Sequence, residues 1–205
     1  MDQKYYIQSY AHIKNGSVSL NGQIIFDEIH EEYSNFIKAA YKSFDSQYPK
    51  FFKMDNLSKL AFLGADVLLN EQQLDSEIEQ NIAIVVSNRA SSLDTDRRHQ
   101  DSISDAKDYF PSPAVFVYTL PNICIGEISI RHKLFSENSF FIFDHFNADY
   151  LWSYAGSLLQ TKKAESVLCG WVDYDTESYE AFLYLVGEKG SIHHTKEEIL
   201  RLYTL

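Results

Sequence analysis

The most constraining feature of this sequence is a run of four apolar residues, Phe140 to Phe143, followed closely by a helical pattern. Its apolar residues do not alternate with polar ones, so the run predicts a β-strand that is covered on both faces. The pattern from Asn147 to Gln160 then predicts a helix whose first N–H groups have no partner within the helix. The junction at Asp144 and His145 is therefore expected to lie at the positive end of a helix dipole.

Apolar patterns on either side of this junction indicate an α/β fold. Short apolar runs predict strands at 82–86, 165–172 and 179–187, the last two as antiparallel neighbours. Periodic patterns predict helices at 56–70, at Thr95 to Ala106 and after Thr195, with Asp55 and Thr195 as N-caps. We expect one domain over residues 1–205, with a mixed sheet of about five strands and helices on both faces.

Two segments are harder to assign from pattern alone. Prolines bracket residues 114–120, which predicts an extended piece. Residues 122–132 hold four isoleucines that suit a strand, whereas Asn122 after Pro121 suits the start of a helix. Near the N-terminus, residues 4–9 predict a strand, Asn15-Gly16 and Asn21-Gly22 predict turns, and residues 28–44 predict a helix.

Composition limits the classes of partner and compartment. The 205 residues are 45% hydrophobic, which is enough for a packed core, and they carry a formal net charge of -11. Nucleic-acid binding needs clustered Lys and Arg, so that class of function is not expected. The sequence has no pattern of a signal peptide and no apolar stretch of membrane-spanning length. The two cysteines predict reduced, buried thiols and a cytoplasmic location.

Several ordered motifs carry a resemblance to a known family. They are Lys53-Met54-Asp55 with the following helix, Asn88 to Asp96, Ser112-Pro113, Phe116, Thr119 to Asn122, Gly126 to His132, Asn138, and Val167 to Asp173. Together they resemble the N-terminal half of the β-ketoacyl-acyl-carrier-protein synthases, which are condensing enzymes of the thiolase superfamily. The resemblance covers most of residues 50–187 and implies a thiolase-like half fold, with a helix at 122–132. The N-terminal segment matches least and is expected to form a specialised lid or surface.

The sequence departs from the family at the position of the nucleophile. Aligning Asn138 with the family's asparagine puts His145 or a neighbour where the family has its cysteine, and no cysteine lies between Cys124 and Cys169. The sequence also ends at Leu205, before the half of the family fold that supplies the two catalytic histidines. The resemblance therefore implies a truncated homologue in which no catalytic residue, cofactor or metal ion is expected.

Other arrangements of reactive side chains were weighed against structural roles. Asp144 and His145 could act as an orienting acid and a base, but adjacent residues at a strand end point in different directions. Both cysteines are expected to be core residues because neither has a helix-terminal position with a basic neighbour. Adjacent His193 and His194 cannot readily share one metal ion, so they are predicted to be solvated polar residues.

The leading hypothesis is a catalytically inactive partner subunit in fatty-acid, polyketide or aryl-polyene-type synthesis. The alternatives are an acyl hydrolase or transferase that uses Asp144 and His145, and a stand-alone acyl or acyl-carrier binding protein. A lone half would expose apolar surface, so we expect an oligomer with itself or with an active ketosynthase, and an acyl carrier protein is a further candidate partner. The expected interface residues are Phe140, Phe141, Ile142, Phe143, Leu151, Trp152, Tyr154 and Leu158.

Overall fold

The computed structural model describes residues 4–72, 74, 78–105, 107, 109–176 and 178–205. Its strands are β1 (Tyr6–Lys14), β2 (Ser17–Leu20), β3 (Gln23–Asp27), β4 (Ile82–Asn88), β5 (Asn138–Ile142), β6 (Ser166–Asp175), β7 (Ser178–Gly187) and β8 (Ile192–His193). Its helices are α1 (Tyr33–Ser43), α2 (Asn56–Glu71), α3 (Leu93–Ser104), α4 (Pro113–Val117), α5 (Ile123–His132), α6 (Ala148–Gln160) and α7 (Lys196–Tyr203). A 3₁₀ turn at Pro49–Lys53 precedes α2.

All eight strands join one mixed sheet, in the order β3-β2-β1-β7-β6-β4-β5, with β8 pairing with β1. Strand β4 lies parallel to both β5 and β6, and the other pairs are antiparallel. The expected mixed α/β architecture is confirmed, including the antiparallel β6–β7 pair, but the sheet has eight strands and not about five. The short strand expected between the Asn15-Gly16 and Asn21-Gly22 turns is β2, whereas β3 and the two-residue β8 were not predicted because they are too short to give a clear apolar pattern.

Helices cover both faces of the sheet and give it two apolar cores. Helices α1, α2 and α5 pack on one face, with alternate side chains of β4, β6 and β7. Helices α6 and α7 pack on the other face, with the intervening side chains of the same strands. Strand β4 is buried along its whole length because it lies between two strands and two helix layers. Among the described residues, none of the helices combines the length and apolar character that crossing a bilayer requires.

The local signals for turns and caps form as predicted. Asn15, Gly16, Asn21 and Gly22 all have positive φ, as two-residue hairpin turns of the primed type require. The side chains of Asp55, Asn147 and Thr195 each accept a hydrogen bond from the backbone N–H three residues later, at 2.9, 3.0 and 3.2 Å. Helices α2, α6 and α7 therefore begin where the sequence places them.

Some boundaries and one element differ from expectation. Residues 114–120 are not extended: Pro113 takes the first position of α4, and the Ser112 hydroxyl accepts from the Val115 N–H. A proline at the first helical position is compatible with a helix because its missing N–H has no partner there anyway. Helix α5 confirms the helical assignment of 122–132, while α1 begins at Tyr33, later than predicted. The predicted end of α3 at Ala106 lies outside the described residues.

Strand β5 forms one edge of the sheet, and its side chains are at most half-buried. The expectation that this strand is covered on both faces is therefore wrong. It pairs with β4 on one side and has no described strand on the other. Phe140 and Phe141 are only half-buried, and the side chain of Ile142 is 55% exposed. An unbroken apolar run is compatible with a central strand and also with an edge strand whose outer side meets another chain.

Candidate functional site

The carboxyl ends of β4, β5 and β6 lie at one edge of the sheet because the three strands are parallel. At the end of β6, one carboxylate oxygen of Asp173 accepts hydrogen bonds from the backbone N–H groups of Arg89 and Ala90, at 3.0 and 2.9 Å. Its other oxygen lies 3.7 Å from the Arg89 guanidinium. Asp173 therefore fixes the loop that follows β4, which joins two of the sequence motifs.

Two further hydrogen bonds join sequence motifs near the carboxyl ends of these strands. Asp55 accepts from the Thr95 hydroxyl at 2.7 Å, so the N-terminus of α2 is tied to α3. The Ser92 hydroxyl donates to the carbonyl oxygen of Thr119 at 2.7 Å, which ties α3 to the segment before α5. Motifs that are far apart in sequence thus form one hydrogen-bonded frame around the carboxyl edge. The frame is structural, since each of these polar groups is paired within the protein.

The junction after β5 opens into a cavity of about 240 Å³ at this edge. Phe146, Trp171 and Tyr203 form its apolar wall, and the Phe146 and Tyr203 rings stack with centroids 4.0 Å apart. The Tyr203 hydroxyl donates to Glu180 at 2.7 Å, and burial together with this carboxylate raises the pKa of Tyr203. Phe146 is the last lining residue of this cavity before α6, and a separate cavity of about 650 Å³ at the N-terminus of that helix is lined by His145 to Asp149 with residues of α7.

Asp144 and His145 line this cavity and are not hydrogen-bonded to each other. Both side chains are exposed to solvent, and no hydrogen bond joins them in the described part of the chain. General acid–base catalysis requires the orienting carboxylate to lie within hydrogen-bond distance of the imidazole. The geometry gives no support to an oriented base at this junction.

Neither cysteine lies in α6 or in the junction before it. Cys124 is in α5 and Cys169 is in β6, and both are fully buried. Burial raises the pKa of each thiol, so the thiolate that acts as a nucleophile is strongly disfavoured. The prediction that both are core residues agrees with this placement.

The adjacent histidines His193, at the end of β8, and His194, just after it, have different environments. His193 is exposed, as predicted, but the prediction for His194 is wrong because its ring is buried beside Tyr184, with ring centroids 5.9 Å apart. Burial lowers the pKa of His194 to about 4. In the described part of the chain, no three His, Cys, Asp or Glu side chains converge to hold a metal ion.

Helix α6 buries the face that was expected to be exposed. Leu151 and Leu158 pack into the chain's own core together with Ala155, so they cannot contact a partner. The expectation of a free apolar helix face is wrong because the sheet of the same chain covers it. The outward face instead carries Trp152, whose indole N–H donates to the carbonyl oxygen of His194 at 3.1 Å.

Aromatic side chains connect α6 to the edge strand β5. The Phe141 ring lies 4.7 Å from the Tyr150 ring and 5.3 Å from the Tyr154 ring, measured between centroids. The hydroxyl groups of Tyr154 and Ser139 are 3.1 Å apart. This aromatic cluster packs β5 against α6. No described strand pairs with the other edge of β5.

A network of buried charges was missed by the sequence reasoning. Asp66 of α2 accepts from the Ser46 hydroxyl, and its carboxylate lies 3.0 Å from His132 and 3.4 Å from Arg131 of α5. Burial raises the pKa of Asp66, but the hydrogen bonds from His132 and Ser46 outweigh burial and the net shift is downward. The motif Gly126 to His132 signalled this role, because its charged residues recur on one face of a helix.

A second missed feature is a cluster of positive side chains on an otherwise acidic molecule. Burial lowers the pKa of Lys59, and the nearby charges of Lys38 and Arg98 lower it further, against an opposing effect of Asp55. Among the described residues, none of these three cations forms an ion pair within 4 Å. Residues on three different helices build the cluster, so no local sequence pattern could reveal it.

Comparison with protein-family models gives no match, and comparison with curated protein sequences gives none either. Solved structures do match. The ishigamide ketosynthase/chain length factor superposes with a TM-score of 0.64 at 14% identity, over 90% of this chain and 62% of that chain. The AntDE:AntF complex, a type II polyketide synthase acyl-carrier protein with its ketosynthase, gives 0.60 at 14% identity, over 92% and 64%.

A third match differs in coverage. A chain in the complex of the ketosynthase ApeO with its chain length factor ApeC, from Xenorhabdus doucetiae, superposes with a TM-score of 0.62 at 14% identity. The match covers 98% of this chain and 90% of that chain. This chain has the fold of the thiolase-like condensing enzymes. It spans less than two thirds of the first and second matched chains, whereas the thiolase-like chain in the third is of similar length to it.

Proposed function

We propose that this chain is a non-catalytic partner subunit of an active ketosynthase in fatty-acid, polyketide or aryl-polyene-type synthesis. One observation carries the proposal: Asp144, His145 and Phe146, which line the 240 Å³ cavity and lead into α6, include no cysteine. Cys124 and Cys169 are both buried elsewhere in the fold. A condensing enzyme needs a thiolate that forms a thioester at such a helix N-terminus.

The chemistry at this junction supports a role without covalent catalysis. A helix N-terminus stabilises a thiolate, but it disfavours the charged form of an imidazole because the dipole end is positive. A histidine also forms no stable acyl intermediate of the thioester kind. The unpaired geometry of Asp144 and His145 gives the alternative, a hydrolase or transferase, no observation in its favour.

The open edge of β5 supports pairing with a ketosynthase chain. An edge strand presents unpaired backbone groups, and here the strand carries the exposed Ile142 on one face and the half-buried Phe141 on the other. A match of nearly full length to a chain in the ApeO–ApeC complex supports the idea that a chain of this size can be part of a ketosynthase assembly. We place the contact at residues 139–143, with Trp152 and Tyr154 of α6 as further contact residues.

The positive cluster of Lys38, Lys59 and Arg98 supports an acyl carrier protein as a second partner. Acyl carrier proteins are acidic, and a net charge of -11 would repel them unless positive side chains gather locally. Lys38, Lys59 and Arg98 would supply the positive charge of such a site, which the nearby carboxylates of Asp55 and Asp94 partly offset. The AntDE:AntF complex contains an acyl-carrier protein with its ketosynthase, and this chain shares the fold of a chain in it, which supports a carrier protein as a class of partner.

Native mass spectrometry of the complex isolated from the source cell tests the proposal. We expect one copy of this chain with a full-length ketosynthase, and we expect the synthase to lose activity when this chain is removed. Ile142→Lys should abolish the complex by burying an unpaired charge in the interface, while Leu200→Lys, on exposed α7, should not. A monomer at micromolar concentration with an unaffected synthase would contradict the proposal.

A thioester assay separates the proposal from the enzymatic alternative. The purified chain should not hydrolyse acyl thioesters, and His145→Ala should make no difference. Turnover that disappears in His145→Ala would assign catalysis to this junction and replace the partner role.

A further inference from the structure

The β2–β3 hairpin ends the sheet on the side opposite to β5, and none of the proposed contacts uses it. Strand β3 pairs with β2 and has no other strand beside it among the described residues. Its outer backbone N–H and C=O groups are therefore available to an added strand. The sheet has two open edges, and the proposed function accounts only for the β5 edge.

Hydrogen bonds fix the turns at both ends of β2, the β1–β2 turn and the β2–β3 turn. The Gly16 N–H donates to the Tyr179 hydroxyl at 2.8 Å, and the Gly16 carbonyl accepts from the Glu28 N–H at 2.8 Å. At the other turn, the Asn21 side chain accepts from the Tyr10 N–H at 3.0 Å and donates to Glu71 at 3.0 Å. A preformed edge strand binds a partner strand without the entropy cost of becoming ordered.

The edge exposes a cluster of isoleucines. Ile24 is 67% exposed, Ile25 is 41% exposed, and Ile29, just beyond the strand, is 61% exposed. Natural edge strands are commonly protected by lysine or proline, and the sequence has neither between Lys14 and Lys38. The pairing of β2 with β3 shifts register between Val18 and Ser19, which leaves Ile25 of β3 without a residue opposite it, as in a β-bulge.

The charge around these isoleucines selects the kind of partner. Asp27, Glu28, Glu31 and Glu32 follow the strand, and no Lys or Arg accompanies them in the hairpin. A second copy of this chain would bring the same acidic residues against each other, which costs binding energy. A segment that carries lysine or arginine would meet them with complementary charge.

We propose that β3 is a docking edge for an extended, basic and apolar segment of a partner protein. The segment would add a strand beside β3, place apolar side chains on Ile24, Ile25 and Ile29, and place basic side chains near Asp27 and Glu28. Backbone hydrogen bonds would provide most of the affinity, and the isoleucines and acids would provide the selectivity. This inference is independent of the role proposed for β5.

Binding of synthetic peptides tests this proposal on the full chain. The probe is a short peptide of alternating valine and lysine, and its matched control alternates valine and glutamate. We expect only the lysine peptide to bind, with an affinity that falls as salt concentration rises. Hydrogen exchange should then show protection of the backbone amides at residues 23–27.

Variants locate the site and separate binding from unfolding. Ile24→Lys should weaken binding of the lysine peptide by at least about tenfold, and Leu200→Lys, at another exposed apolar residue, on α7, should not. The double variant Asp27→Lys/Glu28→Lys should reverse the preference so that the glutamate peptide binds, a result that unfolding cannot produce.

Three results would overturn the proposal. Equal binding of both peptides would mean that charge does not select the partner. Protection at residues 138–142 would place the peptide on the β5 edge. A wild-type dimer that Ile24→Lys converts to a monomer would show that the occupant is a second copy of this chain.

Discussion

Two buried carboxylates, Asp66 and Glu127, fasten the helices on one face of the sheet. Glu127 of α5 accepts from the hydroxyl groups of Tyr48 and Tyr118 at 3.2 and 3.1 Å, and its carboxylate lies 2.8 Å from the ammonium group of Lys50. A buried charge is tolerated only when its oxygens are fully paired. The charged residues of the motif at 126–132 therefore act in packing, whereas pattern alone would place them on a solvated face.

Asp66→Asn should destabilise the protein by about 3 kcal/mol, because it removes the charge that compensates Arg131 at a buried position. The folded state lowers the pKa of Asp66, so its stabilising contribution is present above the carboxyl pKa of the unfolded chain and is lost as pH falls through the folded value. Urea unfolding across the acid range should show this loss in the wild type and not in Asp66→Asn. Glu137→Gln, which breaks the exposed pair with Lys163, should cost less than about 1 kcal/mol.

His194→Phe should reduce the acid sensitivity of the fold. The folded state lowers the pKa of His194 to about 4, below its ordinary value of 6.5, so the unfolded chain binds a proton that the folded chain does not. Stability therefore decreases as pH falls from 6.5 to about 4. Thermal unfolding should show a shallower decrease in the variant, with a remaining part from His12, whose pKa is also lowered to about 4 by burial. An unchanged slope would contradict this assignment.

At the scale of elements, the sequence predicted most helices and strands because caps and apolar periods are local. Helices α2, α6 and α7 and the β6–β7 pair follow from such signals. The helix α4 was missed because prolines flank it and none of its residues is buried, so it has no apolar period. The hairpin turns were predicted from Asn-Gly pairs, but pattern could not show that β3 ends the sheet.

Two glycines from the sequence motifs should respond to alanine in opposite directions. A Cβ at Gly170 of β6 would lie 2.0 Å from the carbonyl oxygen of Phe182 in β7, so Gly170→Ala should destabilise the sheet by about 3 kcal/mol. A Cβ at Gly126 of α5 would meet nothing within 4 Å, so Gly126→Ala should stabilise the helix by about 0.5–1 kcal/mol. Chemical denaturation of both variants measures the difference, and the same sign for both would contradict it.

At the scale of the whole molecule, the order of the sequence motifs predicted the thiolase-like fold. Which residues lie on the molecular surface could be seen only in the structure. The expected interface residues Leu151 and Leu158 are buried because a helix of this length presents one face to its own sheet. The frame around Asp173, Asp55 and Ser92 joins motifs through contacts that no local pattern encodes. The absence of a cysteine beside His145 could be stated from sequence, whereas the missing contact with Asp144 could not.

Reversal of charge at the positive cluster should weaken binding of an acyl carrier protein. The double variant Lys59→Glu/Arg98→Glu should lower the affinity by roughly tenfold or more at low salt, and the difference should shrink at high salt. The double variant Lys162→Glu/Lys189→Glu, which changes net charge by the same total outside the cluster, serves as the control. Calorimetric titration with a purified carrier protein measures the effect, and equal loss in the control would show that only net charge matters.

The pairing of β1 with β7 has a consequence for how the protein forms during synthesis. A ribosome releases β1 and its hairpin long before it releases the strand that joins them to the rest of the sheet. Until Gly187 has left the exit tunnel, the first three strands can pair only with one another and pack on α1 and α2, and the core on the other face of the sheet lacks the side chains that β7 supplies. Nascent chains stalled before β7 should therefore be protease-sensitive throughout their N-terminal third, and chains stalled well beyond it should not.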